Sequence, residues 1–148
     1  MLKEEHFNFD VNVLIELFDK KGNLKDKREV HNTVTTAGKA GIMDQIIASP
    51  TLPKVGWMEL GTGTPTSTLL GAYISGSRVA LTSKTRSTNV ITMIGDFAAG
   101  VGTGAITEAG TFDVVTQNTV NMWMSAPFGV VTKTASDVLK VTWTLTGN

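Results

Sequence analysis

Apolar side chains occupy alternate positions from Phe7 through Phe9, Val11, Val13 and Ile15 to Leu17, with Asn8, Asp10, Asn12 and Glu16 between them. A period of two is the mark of a β-strand with one covered face. Asp19-Lys20-Lys21-Gly22-Asn23 supplies the residues of a tight turn, and Leu24 to His31 returns as a charged strand suited to a sheet edge. The chain therefore opens with a β-hairpin. A helix is predicted over roughly 37–48, with Thr35 or Thr36 as N-cap and Ile42, Met43, Ile46 and Ile47 as its apolar stripe, stopped at Ser49-Pro50.

Further strand-like runs occupy Val55–Leu60, Arg78–Lys84, Val90–Ala98, Ala105–Val114, Thr119–Phe128 and Val138–Thr146, separated by Gly, Pro, Asn and Ser. The last is the clearest. Leu139, Val141, Trp143 and Leu145 alternate with Lys140, Thr142, Thr144 and Thr146, and β-branched threonine suits the solvent face of a sheet. Eight short strands and one short helix, with no fixed-period repeat, predict a mainly β fold: an antiparallel β-sandwich or jelly-roll-like barrel.

A chain of 148 residues holds one domain with a substantial core. Half of the charged side chains lie between Lys3 and Glu29, and the remainder is rich in Thr, Gly and Val. Residues 1–31 thus read as a charged hairpin and 32–148 as the sandwich body of the same domain. Thirteen Lys and Arg balance thirteen Asp and Glu, so the chain lacks the basic field that neutralises a nucleic-acid backbone. The absence of cysteine excludes disulfides, thiolate nucleophiles and cysteine-ligated metal centres. No run of 18 apolar residues occurs, and MLKEEHFNFD is charged where a signal peptide needs an apolar stretch. Neither a membrane span nor an export signal is expected.

The glycine-rich stretches Gly61-Thr62-Gly63-Thr64-Pro65 and Gly100-Val101-Gly102-Thr103-Gly104 lack the lysine and the helix start of a phosphate-binding loop, and read as turns. His6 and His31 could meet across the hairpin near Asp10 or Glu29, but two histidines without a third spaced ligand do not define a metal site. No Ser stands in a Gly-x-Ser-x-Gly elbow. No catalytic residue, cofactor or metal is expected. Glu108 falls in register with Ile106 and Phe112 on an inward face; a kink near Gly110 that turns it to solvent or toward an Arg is the expectation.

Two interface candidates remain. Along Thr119–Phe128 the core face is Val120, Met122, Met124, Ala126 and Phe128, which leaves Trp123 beside Asn121 and Ser125. A large aromatic there needs cover, from a layer of its own domain or from a second copy. In the hairpin, Lys20, Lys21, Lys25, Lys27 and Arg28 gather near one turn with Asp19, Asp26 and Glu29 interleaved, a mixture suited to salt-dependent pairing with a protein.

The segment Gly100–Thr146 resembles the C-terminal half of a class of small tailed-bacteriophage virion proteins. The resemblance is carried by Ile106-Thr107-Glu108-Ala109-Gly110, a Phe112 strand, a hydrophobic strand ending near Pro127, a Thr132-Lys133 turn and a closing Val141-Thr142-Trp143-Thr144 strand. Upstream, Asn32-Thr33-Val34-Thr35-Thr36-Ala37-Gly38-Lys39 entering a helix, and Leu60-Gly61-Thr62-Gly63 followed by Pro65 and Leu69, look like the same class in the same order. The resemblance implies a non-enzymatic virion component, assembled in the bacterial cytoplasm. Its expected role is a capsid decoration (cement) protein, a homotrimer bound to the major capsid protein, with no membrane or direct nucleic-acid partner. The alternative role is a tail-fibre or head-fibre module for host-surface recognition; an unrelated small-ligand-binding barrel would need a polar-lined cavity.

Overall fold

The computed structural model describes residues 8–148. Phe7 and His6, and with His6 the expected histidine pair, lie outside the described residues. Nine strands and one helix follow in the order β1 (Phe9–Phe18), β2 (Leu24–Val34), α1 (Thr36–Asp44), β3 (Trp57–Gly61), β4 (Val79–Ala80), β5 (Ser83–Ser87), β6 (Val90–Phe97), β7 (Gly104–Phe112), β8 (Met122–Lys133) and β9 (Val138–Gly147). The fold is mainly β, and every strand pairing is antiparallel.

The sheet order is β4-β3-β7-β8-β2-β1-β9-β6-β5. It curls so that β2-β1-β9-β6-β5 packs on β4-β3-β7-β8, with one cluster of buried side chains drawn from both halves. Val13 pairs with Trp143 and Ile15 with Val141 across β1 and β9, and all four are buried. They meet Met58, Leu60, Ile106, Ala109 and Val131 of the other half. Burial of each large apolar side chain is worth about 1.5–3 kcal/mol, so this shared cluster is what keeps the sheet curled.

Several expectations are corrected in detail. The Arg78–Lys84 run is two strands, not one, because the chain crosses between the two halves there: Leu81 N–H donates to the Gly56 carbonyl and Thr82 N–H to that of Ile94. The first strand of the hairpin has its expected inward row of Val11, Val13, Ile15 and Leu17, but β2 is not wholly an edge, since Thr33 and Val34 pair with Ser125 and Met124 of β8. β8 begins at Met122, leaving Val120 exposed, and runs on through Thr132 and Lys133. The turn lies after them, where the Asp137 carboxylate accepts the backbone N–H and hydroxyl of Thr134.

The helix is shorter than its apolar stripe suggested and uses a different face. Thr35 is the N-cap, its hydroxyl oxygen accepting Gly38 N–H at 2.9 Å. The helix stops at Asp44, whose carboxylate accepts the backbone N–H groups of Thr51 and Leu52 and so folds the chain back under the last turn. Gly38 and Gly41 are its buried residues, and a β-carbon built on either would come within about 2.2 Å of Trp123. Missing side chains, three positions apart, are what let α1 lie against β8.

Candidate binding surface

Glu108 was expected at the surface or beside an Arg. The register of β7 against β8 does shift between Ile106 and Glu108, but the carboxylate turns inward and is fully buried. Its Oε1 accepts Gly63 N–H at 3.0 Å and Ala72 N–H at 2.8 Å, and its Oε2 accepts Gly71 N–H at 2.8 Å. One side chain thereby fastens both ends of the loop that follows β3. Charge-assisted bonds to backbone amides explain how a carboxylate survives there without a cation.

A second buried polar centre sits nearby. Arg78 meets Glu59 through Nε at 3.0 Å and NH2 at 3.2 Å, and its guanidinium lies 3.6 Å from the centroid of the Phe112 ring. Its NH1 donates to the carbonyls of Val114 and Thr116, while Gln117 donates to Glu59 at 2.8 Å. Together these bonds pin the 113–121 loop. Sequence reading missed the pair because Met58, Glu59 and Leu60 are consecutive buried residues, a strand covered on both faces with no alternation to flag its polar member. The acids and the cation here are committed to one another and to backbone, an arrangement that fixes structure.

Trp123 is also corrected as an interface residue. It is only 7% exposed, and its indole lies beneath Gly41 of α1 and donates to Asp113 Oδ2 at 3.1 Å. The cover comes from the chain's own helix, so the self-association patch expected on this indole is absent. Asn121 and Ser125 are half-buried, and Ser125 is paired with Thr33.

The hairpin cations do not form one patch either. Lys20 and Lys21 lie exposed in the turn, Lys27 pairs with Glu16 on the outer face of β2, and Lys25 falls at the register shift between β1 and β2. Arg28 pairs with Ile15, on the side of the sheet that faces the core, and contacts Asp26 at 3.3 Å. Lys25 Nζ is bound to Asp137 at 2.8 Å. The Lys25 ammonium and the Thr134 N–H hold the Asp137 carboxyl down at about 2.

Among the exposed large apolar side chains, which also include Leu24, Tyr73, Val115, Val120 and Val130, four lie in or just after α1. Met43 is 64% exposed, Ile46 74%, Ile47 53% and Leu52 39%, and Ile42 is half-buried beside them. Because Gly38 and Gly41 turn to the sheet, most of the predicted apolar stripe is directed outward. Clefts flank the helix on both sides. One, of about 600 Å³, opens between Phe9, Val34 and Ile46. The other, of about 770 Å³, is floored by Val34, Ile91, Met93, Met124 and Leu145 and rimmed by Lys54, Lys84 and Arg86. Burial, and the neighbouring Lys54 charge, lower the pKa of Lys84. Among the described residues no group of three His, Asp or Glu side chains is placed to hold a metal ion, and no helix is long and apolar enough to cross a membrane.

Comparison with protein-family models, with curated proteins and with solved structures found no match to this chain.

Proposed function

We propose that the chain is a bacteriophage virion structural protein, acting as a capsid decoration module that adheres to the major capsid protein in company with its own copies. The observation that carries this reading is the exposed apolar surface of Met43, Ile46, Ile47 and Leu52 on a domain that already has a complete core. An apolar surface of this kind marks a contact area, since leaving it in water is unfavourable. The segments that resemble virion proteins support it from another side: Glu108 and the Gly61–Gly63 strand end serve to fasten a loop, which is the work of a scaffold. A head shell under internal pressure gains from area buried across its subunit seams.

The test replaces Met43, Ile46 and Ile47 together by serine. Exposed positions cost little when changed, so the variant should unfold within about 0.5 kcal/mol of the parent for each substitution. Its occupancy on undecorated heads, read by co-sedimentation, should fall at least tenfold. Undiminished occupancy by a folded variant would refute the reading. Copy number per particle separates a head decoration from the fibre role.

A further inference from the structure

β5 ends the sheet. Its inner edge pairs with β6 from Ser83↔Ile94 to Ser87↔Val90, and among the described residues no strand pairs with its outer edge. The alternate N–H and C=O groups of that edge are available to another chain. Lys and Arg on an edge strand, whether they point outward or inward, deter pairing with a strand that does not neutralise them, so an added strand here has to carry the opposite charge. Here Lys84 pairs with Met93 and Arg86 with Ile91, which places both cations on the core side of the sheet, over the larger cleft.

That cleft runs beside the free edge. Lys54 joins Lys84 and Arg86 at its rim, and none of its lining residues is acidic. Of the acids on the adjoining elements, Asp44 of α1 accepts from Thr51 and Leu52, Asp113 accepts the Trp123 indole N–H through Oδ2, and Asp96 of β6 pairs with Lys140, on the face opposite that of Met93. Lys84 donates to the Val55 carbonyl and Arg86 to that of Thr88, so both cations are held by neutral acceptors alone. An unoccupied strand edge, three cations without a carboxylate and an apolar floor occur at one place.

The geometry points to an acceptor groove for an extended acidic segment of a partner protein, added as a strand along β5. The occupant follows from strand geometry. Side chains two residues apart share a face, and directly opposed residues on paired strands lie about 5 Å apart. A segment with carboxylates at positions i and i+2 meets Lys84 and Arg86, and an apolar residue at i+4 continues the side that faces the cleft. Backbone bonds to β5 supply sequence-independent affinity, and the carboxylates and the apolar anchor supply selectivity. This groove includes none of Met43, Ile46 and Ile47, although Ile42 and Gln45 of its lining adjoin them, and it does not rest on the virion reading.

The probe is a free peptide, acetyl-Thr-Glu-Thr-Glu-Thr-Leu-Thr-amide carrying a fluorophore, titrated with the whole chain and read by anisotropy. Saturable binding that weakens as salt rises is expected, as is loss of binding when alternate peptide nitrogens are methylated. Lys84→Glu with Arg86→Glu should weaken it at least tenfold, while the same peptide with Lys in place of Glu should bind this reversed variant and not the parent. Circular dichroism checks that the variant is folded; if it is not, Lys84→Gln alone should still weaken binding severalfold. Equal binding of both peptides to the parent, indifference to the charge reversal, or no binding at millimolar peptide would overturn the proposal. So would self-association of the chain that the peptide dissolves, which would give the groove to a second copy. Because the peptide reports on β5 and head occupancy on α1, failure of either proposal is visible without the other.

Discussion

At the scale of single residues, the fold depends on a few buried polar groups that hold loops. Glu108 is the clearest, because three backbone N–H groups from two stretches of one loop converge on its carboxylate. Glu108→Gln keeps the shape but removes the charge and turns an amide N–H₂ toward those donors. A loss of at least about 2 kcal/mol in urea denaturation is expected, in line with hydrogen bonds to charged groups and the cost of donors left unpaired. Asp137 gives a pH signature. Its carboxyl falls from 3.8 to about 2 on folding, so its contribution to stability is present above pH 3.8 and disappears as pH drops toward 2. The stability gap between the parent and Asp137→Asn should therefore be constant near neutrality and shrink below pH 4, as measured by denaturant titrations across that range. Neither role was legible from sequence. A lone Glu on an inward face states that a partner is needed, but the donors are backbone groups 36 to 45 residues away and leave no mark in residue type.

The elements divide by how much their burial resembles a simple period. β1 and β9 were legible because each has one covered face, and their alternating rows meet in register. β8 was legible as a strand with Met122, Met124 and Ala126 inward, but the cover over Trp123 was not, because it comes from α1 on the other side of the strand. The helix misled for the complementary reason. Ile42, Met43, Ile46 and Ile47 have helical spacing, yet close packing needed the face with no side chains, which hydropathy ignores. Gly41→Ala separates propensity from packing. An added methyl favours an isolated helix by about 1 kcal/mol, but here it would overlap the Trp123 ring. Net destabilisation of about 1–3 kcal/mol is expected from overpacking, with a change in tryptophan fluorescence as the indole is displaced. Stabilisation by Gly41→Ala would show that α1 is not seated on Trp123.

For the molecule as a whole, the surface carries chemically different features. The apolar residues in and after α1 and the basic cleft beside β5 are made of different side chains, and the lysines of the β1–β2 turn belong to neither. Fold class was readable because strand runs and turn residues recur along the chain. Which faces remain free was not, because that depends on which element covers which. The position of β9 has one more consequence, for the order in which the chain acquires structure. Last in sequence, it lies between β1 and β6 in the sheet and pairs with both along nearly its whole length. A nascent chain that has not reached Val138 has β2 on one side of β1 and nothing on the other, so the half of the sandwich that carries Val11, Val13, Ile15 and Leu17 is incomplete until β9 is made. Refolding from urea should accordingly be slow for the chain's size, in the millisecond-to-second range of folds built on distant strand pairs, as stopped-flow fluorescence would measure. The β1–β2 hairpin, however early it forms, must wait for β9 before it is joined to β6 and β5 in one sheet.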